Sequence, residues 1–200
     1  MSGLKLWITA MLAVVAVATV RAETLALWEN DNLVTATNSN PVDTFDPDVS
    51  ASDLALGGGF TAPSTTWLNA LDAGLGDAAG ITNLAAAIAD NRYYSFSVTP
   101  NAGKQASYSN IATRVTLNSL TNIGTSVSVV LMSSATGFTD GDEIGSFTAS
   151  TPSTAATDNG LIDVDVSGVV ALQDQPSEVE FRLYVVLTGT AHNRIALGHV

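Results

Sequence analysis

Alternating apolar and polar residues are clearest in the middle of the chain. Across residues 93–99, Tyr94, Phe96 and Val98 fall on one side of an extended chain, and hydroxyl-bearing residues fall on the other. Pro100 has no N–H to donate to a neighbouring strand, and the Asn and Gly that follow tolerate turn conformations. The pattern predicts a strand with one buried face, followed by a sharp reversal.

The same period of two recurs on both sides of this segment. It predicts a short edge strand at 25–28 and further strands at 107–118, 126–132, 144–149, 161–167, 179–187 and from 194 onward. The 179–187 strand has the longest alternation and is expected at the centre of a sheet. Between the first two strands, polar residues and two X-Pro pairs at 30–48 predict a loop.

Little of the sequence has helical spacing. Residues 67–75 and 81–89 have short helical patterns, the second with Thr82 as its expected cap. Gly57-Gly58-Gly59, which precedes them, indicates either flexibility or a close backbone approach. About eight short strands separated by turn residues predict an all-β fold: a two-sheet antiparallel β-sandwich of jelly-roll type, with one or two short helices in a long connection.

The first 22 residues have the features of a secretory signal peptide. Lys5 precedes an apolar run, and Val20-Arg21-Ala22 offers small residues for cleavage. The run is short for a membrane span, which needs about 20 apolar residues. Removal of 1–22 leaves 200 − 22 = 178 residues, so 23–200 is predicted to be a single β-sandwich domain that is secreted, extracellular or at the cell surface.

Composition excludes several classes of site. The chain has no cysteine, which excludes disulfides, thiol catalysis and cysteine-bound metals. Lys5 and Arg21 are removed with the signal peptide, so five basic residues remain against nineteen acids and the charge is 5 − 19 = −14. The basic residues are scattered singly, so no patch for a phosphate backbone forms and nucleic acid is not expected as a partner.

Three segments together resemble the extracellular jelly-roll domain of bacterial PEP-CTERM proteins, which an exosortase-type system processes. They are Tyr94-Ser95-Phe96-Ser97-Val98-Thr99-Pro100-Asn101-Ala102-Gly103, the turn Ser133-Ser134-Ala135-Thr136-Gly137-Phe138, and Asp165-Val166-Ser167-Gly168-Val169 with the strand that begins at Val179. The resemblance implies export and provides no catalytic residues. The family's C-terminal sorting tail does not follow Val200, so a truncated C-terminus is expected, with membrane attachment only through that missing tail.

Candidate binding residues are aromatic rings and acids. Tyr93 and Tyr184 lie on the outward sides of their strands by alternation, and with Trp67 they are the predicted sugar-stacking residues; Trp28 and Tyr108 are weaker candidates. Asp140, Asp142 and Glu143 surround a glycine turn and are the candidate ligands for Ca²⁺.

No catalytic set is evident. His192 and His199 are the only histidines, and no Gly-x-Ser-x-Gly motif occurs. Asp163 and Asp165 are about 7 Å apart on one strand face rather than across a cleft. The sequence favours a non-catalytic module with a structural or adhesive role in the extracellular matrix, in contact with polysaccharide or envelope components. A carbohydrate-binding module, with or without Ca²⁺, is the alternative, and a glycoside hydrolase or lyase is the third hypothesis.

Overall fold

The computed structural model describes residues 24–28, 39–60, 71–75, 81, 83–119, 125–151, 157–188 and 193–198. The first half of the described chain contains β1 (Ala26–Leu27), β2 (Ser39–Asn40), β3 (Thr44–Phe45), β4 (Val49–Ala51), β5 (Leu54–Leu56), β6 (Leu71–Leu75), α1 (Leu84–Ala89) and β7 (Tyr93–Pro100). The second half contains β8 (Asn110–Ser119), β9 (Thr125–Ser133), β10 (Gly145–Thr151), β11 (Thr157–Asp165), a 3₁₀ turn (Val170–Leu172), β12 (Val179–Thr188) and β13 (Asn193–Gly198).

The strands form two main antiparallel sheets. The larger has the order β10-β9-β12-β7-β5-β2, with β4 also pairing with β7, and the smaller has the order β11-β8-β13-β6. β1 pairs with β3 in a separate two-stranded ribbon. The predicted all-β, two-sheet sandwich is confirmed, as is the central place of β12, which lies between β7 and β9.

The core fills the space between the inner faces of the two sheets. Tyr94, Phe96 and Val98 are buried on β7, as their alternation predicts, and the ring of Phe96 stacks on Phe181 of β12 at 5.2 Å. Val115 of β8 belongs to the same apolar cluster, so both sheets contribute to one core. Burial of this apolar surface is the main force that holds the layers together.

One lateral side of the sandwich is closed by contact between the sheets. Gly145 of β10 lies against the side chain of Val164 of β11, with no room for a Cβ on the glycine. The Ser150 amide donates a hydrogen bond to the Asn159 side chain across the same junction, at 3.1 Å. These contacts join edge strands β10 and β11 of the two sheets.

The helix predicted over 81–89 is present but shorter. α1 begins after Asn83, whose side chain accepts a hydrogen bond from the Ala86 amide at 2.9 Å; Thr82, the expected cap, lies outside the described residues. Asn91 follows the helix with φ 55°, a conformation that Asn tolerates. Within the described ranges, no helix is long and apolar enough to cross a membrane.

Two predictions of local structure are wrong. The helical interpretation of 67–75 fails at 71–75, which form β6 and pair with β13; residues 67–70 lie outside the described chain. Gly74 disfavours a helix, and apolar residues at 71, 73 and 75 fit strand spacing equally well. The loop predicted over 30–48 contains β2 and β3, whose two-residue lengths are too short for an alternation to be recognised.

Candidate functional site

A cleft of about 730 Å³ opens between β1, the start of β8 and the inner face of the larger sheet. Its volume is in the range of small-ligand sites. Two runs of consecutive residues, 24–28 and 107–112, form most of its walls. The remaining lining residues are Phe96, Val98, Arg114, Gly160, Leu161 and Phe181.

Aromatic rings form the floor of the cleft but are nearly inaccessible. Trp28 is 1 % exposed, and its ring centroid lies 4.6 Å from that of Phe96. Its indole N–H donates a hydrogen bond to the Ser52 carbonyl at 3.0 Å. Tyr108 is 4 % exposed, and burial raises the pKa of its hydroxyl to about 12, so it stays neutral at physiological pH. Neither ring offers a free face for stacking on a sugar, so the accessible apolar wall is aliphatic.

The chemistry available in the cleft is limited. Its described lining contains no carboxylate, imidazole or thiol, and Arg114 is its only charged side chain. General acid or base catalysis requires a titrating group within hydrogen-bond reach of the reacting atoms. The described lining therefore offers aliphatic surface, hydroxyls and one guanidinium as binding groups, and Tyr108, kept neutral by burial, is its one titratable phenol.

A second cluster lies on the outer face of the larger sheet and is centred on Arg182. The guanidinium lies 4.6 Å from the ring centroid of Tyr93 and 3.9 Å from that of Phe138. It pairs with Glu180 at 2.7 Å and donates to the Tyr184 hydroxyl at 3.3 Å. Burial opposes the charge, but the hydrogen bonds with Glu180 and Tyr184 outweigh it, so the pKa of Arg182 is raised above its ordinary value.

The predicted sugar-stacking residues have different environments. Tyr184 is 1 % exposed because it packs in a small apolar cluster with Ile81 and Ala87 of the helical segment, so its expected exposure is wrong. Tyr93 is half-buried. Its ring makes a T-shaped contact with the ring of Tyr184, with 5.2 Å between the two centroids, and the Arg182 guanidinium lies over its face. Trp67 lies outside the described residues. Sequence reasoning missed Phe138, which a turn brings over the sheet and which no strand alternation could reveal.

The acidic turn is organised by hydrogen bonds within itself. The Asp142 carboxylate accepts hydrogen bonds from the amide and hydroxyl of Thr139, and these bonds lower its pKa. Glu143 accepts a bond from the Gly141 amide at 3.1 Å. Among the residues that the structure covers, Asp140, Asp142 and Glu143 do not come together as a group of three metal-ligating side chains, and Ca²⁺ binding at this turn stays a prediction. Asp142 and Glu143 stabilise the turn.

Asp163 and Asp165, the candidate carboxylates on one strand face, do not line the cleft. Asp163 and Asp165 are exposed on β11. Asp163 accepts a bond from Asn110 at 3.0 Å, and Asp165 accepts one from the Ser167 amide at 2.9 Å. His192 and His199 lie outside the described residues. The lining of the described cleft contains no carboxylate, whereas a glycosidase places two on either side of its substrate.

Comparison with known proteins gives one structural similarity. No protein-family model and no curated protein matches the sequence. A solved structure titled as the X-ray crystal structure of a non-crystalline cellulose specific carbohydrate-binding module, CBM28, is similar with a TM-score of 0.39 and 10 % identity. The match covers 89 % of this chain and 93 % of that chain.

Proposed function

We propose that this protein is a non-catalytic β-sandwich module with a structural or adhesive role outside the cell, in contact with extracellular polysaccharide or envelope components. The export segment at 1–22 and the acidic composition support the location. The two-layer sandwich supplies a rigid body that needs no disulfide.

One observation carries the non-catalytic part of this proposal. The described cleft has binding-site volume but a lining with no carboxylate, imidazole or thiol. Asp163 and Asp165 of β11, and Asp142 and Glu143 of the turn, lie outside that lining and accept local hydrogen bonds. A hydrolase or lyase would need such groups where the substrate binds.

Co-sedimentation tests the role directly. Purified protein is mixed with cell envelopes and, separately, with insoluble exopolysaccharide, and the release of reducing ends is followed in the same tubes. The expected result is protein in the pellet with no release above a protein-free control. Protein that stays wholly in the supernatant contradicts the adhesive role, and release of reducing ends contradicts the non-catalytic role.

A carbohydrate-binding module is the second candidate, and the Arg182 cluster favours it. The cluster combines the half-buried rings of Tyr93 and Phe138 with a hydrogen-bonding guanidinium, and the hydroxyls of Ser95 and Ser97 lie on the same outer face. Aromatic surface beside polar side chains is the combination that neutral sugars require.

Glycan arrays with the wild type, Tyr93→Ala and Phe138→Ala test this candidate, with Tyr184→Phe as a control that keeps the buried ring. The expected result is a bound glycan that both alanine variants lose and that Tyr184→Phe retains, unchanged by a chelator. Binding that a chelator abolishes would instead indicate a Ca²⁺-dependent site, and no bound glycan would leave only the structural and adhesive role.

A further inference from the structure

An asparagine–glycine pair lies in β11, beside the junction between the two sheets. Asn159-Gly160 is the one Asn-Gly pair in the full sequence. The backbone nitrogen that follows any asparagine can close a five-membered ring on the carbonyl carbon of the asparagine side chain. Glycine has no Cβ to hinder that ring, so an Asn-Gly pair is the most reactive one that asparagine forms.

The strand is irregular at this pair. Asp158 is opposite Thr116 and Leu161 is opposite Arg114, so two residues of β11 oppose one residue of β8. A β-bulge of this kind locally disrupts the ladder of the strand. Gly160 has φ 74°, has nothing within 4 Å of the position that a Cβ would take, and lines the cleft. The pair therefore lies in a distorted and partly exposed part of the strand.

A backbone amide of the other sheet contacts the asparagine side chain. The Ser150 N–H, in β10, donates a hydrogen bond to the side-chain oxygen of Asn159 at 3.1 Å. A fixed donor aimed at a carbonyl oxygen stabilises the negative charge that develops on that oxygen when a nucleophile adds to the carbon. The contact that joins the two sheets thus also favours addition at the side-chain carbon of Asn159.

The one Asp-Gly pair of the sequence has a different environment. The Gly141 amide, which follows Asp140, donates a hydrogen bond to the Glu143 carboxylate at 3.1 Å. A charge-assisted bond of this kind holds the proton that the nitrogen would have to lose. A carboxylate is also a poorer electrophile than a carboxamide, so ring closure is expected at 159 rather than at 140.

We propose that Asn159 is a site of spontaneous deamidation in the folded protein and that the Ser150 amide promotes the reaction. The Gly160 nitrogen loses its proton and forms a bond to the side-chain carbonyl carbon of Asn159. The bond from that carbon to the side-chain nitrogen breaks, and the nitrogen takes up a proton and leaves as ammonia. Water then opens the succinimide at either carbonyl, which gives aspartate or isoaspartate. This inference goes beyond the proposed function, because it requires no ligand.

Both products change the junction between β10 and β11. Each adds a carboxylate to a sequence whose net charge is −12. Isoaspartate also adds one methylene group to the main chain and shortens the side chain that reaches the Ser150 amide. We expect this product to lose the hydrogen bond between the sheets, so that aged protein unfolds at a lower temperature than fresh protein.

Peptide mapping by mass spectrometry tests the proposal on the full chain. The purified, folded protein is incubated at pH 8 and digested at intervals, and isoaspartate is labelled with an isoaspartyl methyltransferase. The expected result is the mass change from NH₂ to OH, together with the methyl label, in the peptide that contains residue 159. Asn101, which is exposed and followed by alanine, is the internal comparison and should react more slowly.

Variants test the contribution of the Ser150 amide. Ser150→Pro removes the N–H and is expected to slow deamidation about fivefold, as the loss of one net hydrogen bond implies, whereas Ser150→Ala keeps the N–H and should react as the wild type does. Asn159→Gln, whose ring would need six members, should not react on the same timescale. If Ser150→Pro fails to fold, as judged by circular dichroism, the native protein is compared with the urea-unfolded chain, which lacks the donor and should react no faster.

Three results would overturn the proposal. The first is a lower rate at residue 159 in the native protein than in urea, because the fold would then protect the pair. The second is an equal rate at Asn101 and Asn159. The third is an unchanged rate in folded Ser150→Pro, which would show that the hydrogen bond does not promote the reaction.

Discussion

Close backbone contacts determine which glycines this sandwich needs. At Gly57 and Gly59 a Cβ would overlap the carbonyl oxygens of Asn91 and Asp90, while Gly58 has nothing within 4 Å. The Gly57 and Gly59 amides donate to Tyr93 and Asn91, at 2.8 and 3.1 Å, so the two segments are held together. The triplet marks a close approach between the β5 end and the turn after α1.

Alanine substitutions should distinguish a glycine that lies against the neighbouring backbone, such as Gly59, from Gly58, which has open space around it. Gly59→Ala is expected to lower the free energy of unfolding by about 1–3 kcal/mol, because the backbone it contacts cannot move cheaply. Gly58→Ala, the matched control, should change it by less than about 0.5 kcal/mol. Urea denaturation measures both, and equal effects at the two positions would contradict the close approach.

Tyr108 should make the protein sensitive to alkali. Its folded pKa of about 12 lies above the ordinary value of 10, so the native state holds a proton that the unfolded chain releases. The resulting stabilisation is fully present below pH 10 and is lost as the pH rises towards 12, with a limiting slope of about 1.4 kcal/mol per pH unit.

Urea denaturation between pH 9 and pH 11 tests this dependence. The wild type should lose more stability than Tyr108→Phe over that interval, and the phenylalanine variant should be weaker at pH 9 by about 1 kcal/mol through its lost hydrogen bond to Val98. If the free energies of unfolding of the wild type and Tyr108→Phe fall in parallel with pH, the prediction is contradicted, because the Tyr108 hydroxyl would then be solvated in the native state.

At the scale of elements, α1 depends on one cap and on the sheet beneath it. A six-residue helix is marginal alone, so it requires packing on Tyr184 and Val186. Asn83→Ala removes the bond to the Ala86 amide and should cost about 1 kcal/mol, whereas Asn83→Asp keeps an acceptor there. Thermal unfolding compares the three proteins, and an aspartate variant as weak as the alanine variant would contradict the capping role.

The elements that sequence could predict are those with a long, consistent period. β7 buries every second residue over its eight residues, and the sequence of β12 alternates apolar and polar residues from Val179 to Leu183, a period that only a strand explains. β2 and β3 have two residues each, so their existence depends on partners that no local pattern reveals. β6 has spacings that fit a helix and a strand, and pairing with β13 decides between them.

The candidate site was less predictable for a physical reason. Alternation places Tyr184 on the outer face of β12 correctly, but it cannot tell whether that face meets water or another element. Phe138 reaches Arg182 from a turn, and the two main walls of the cleft are about eighty residues apart in sequence. Such long-range contacts have no local signal.

At the scale of the whole molecule, the two sides of the sandwich differ. β10 and β11 meet and close one side, while the edges of β1 and β8 leave the cleft between them. The cleft walls offer apolar surface, hydroxyls and one guanidinium, which are groups that the partner contact proposed for an adhesive role would use.

Amide hydrogen exchange of the purified protein, read residue by residue by NMR, tests this architecture most directly. The account predicts strongly protected amides from Phe181 to Val186 of β12, which lies between β7 and β9, and rapid exchange at Ala102 and Gly103, which lie in an exposed turn. Rapid exchange from Phe181 to Val186 would contradict the central place of β12 and the sandwich that is built around it.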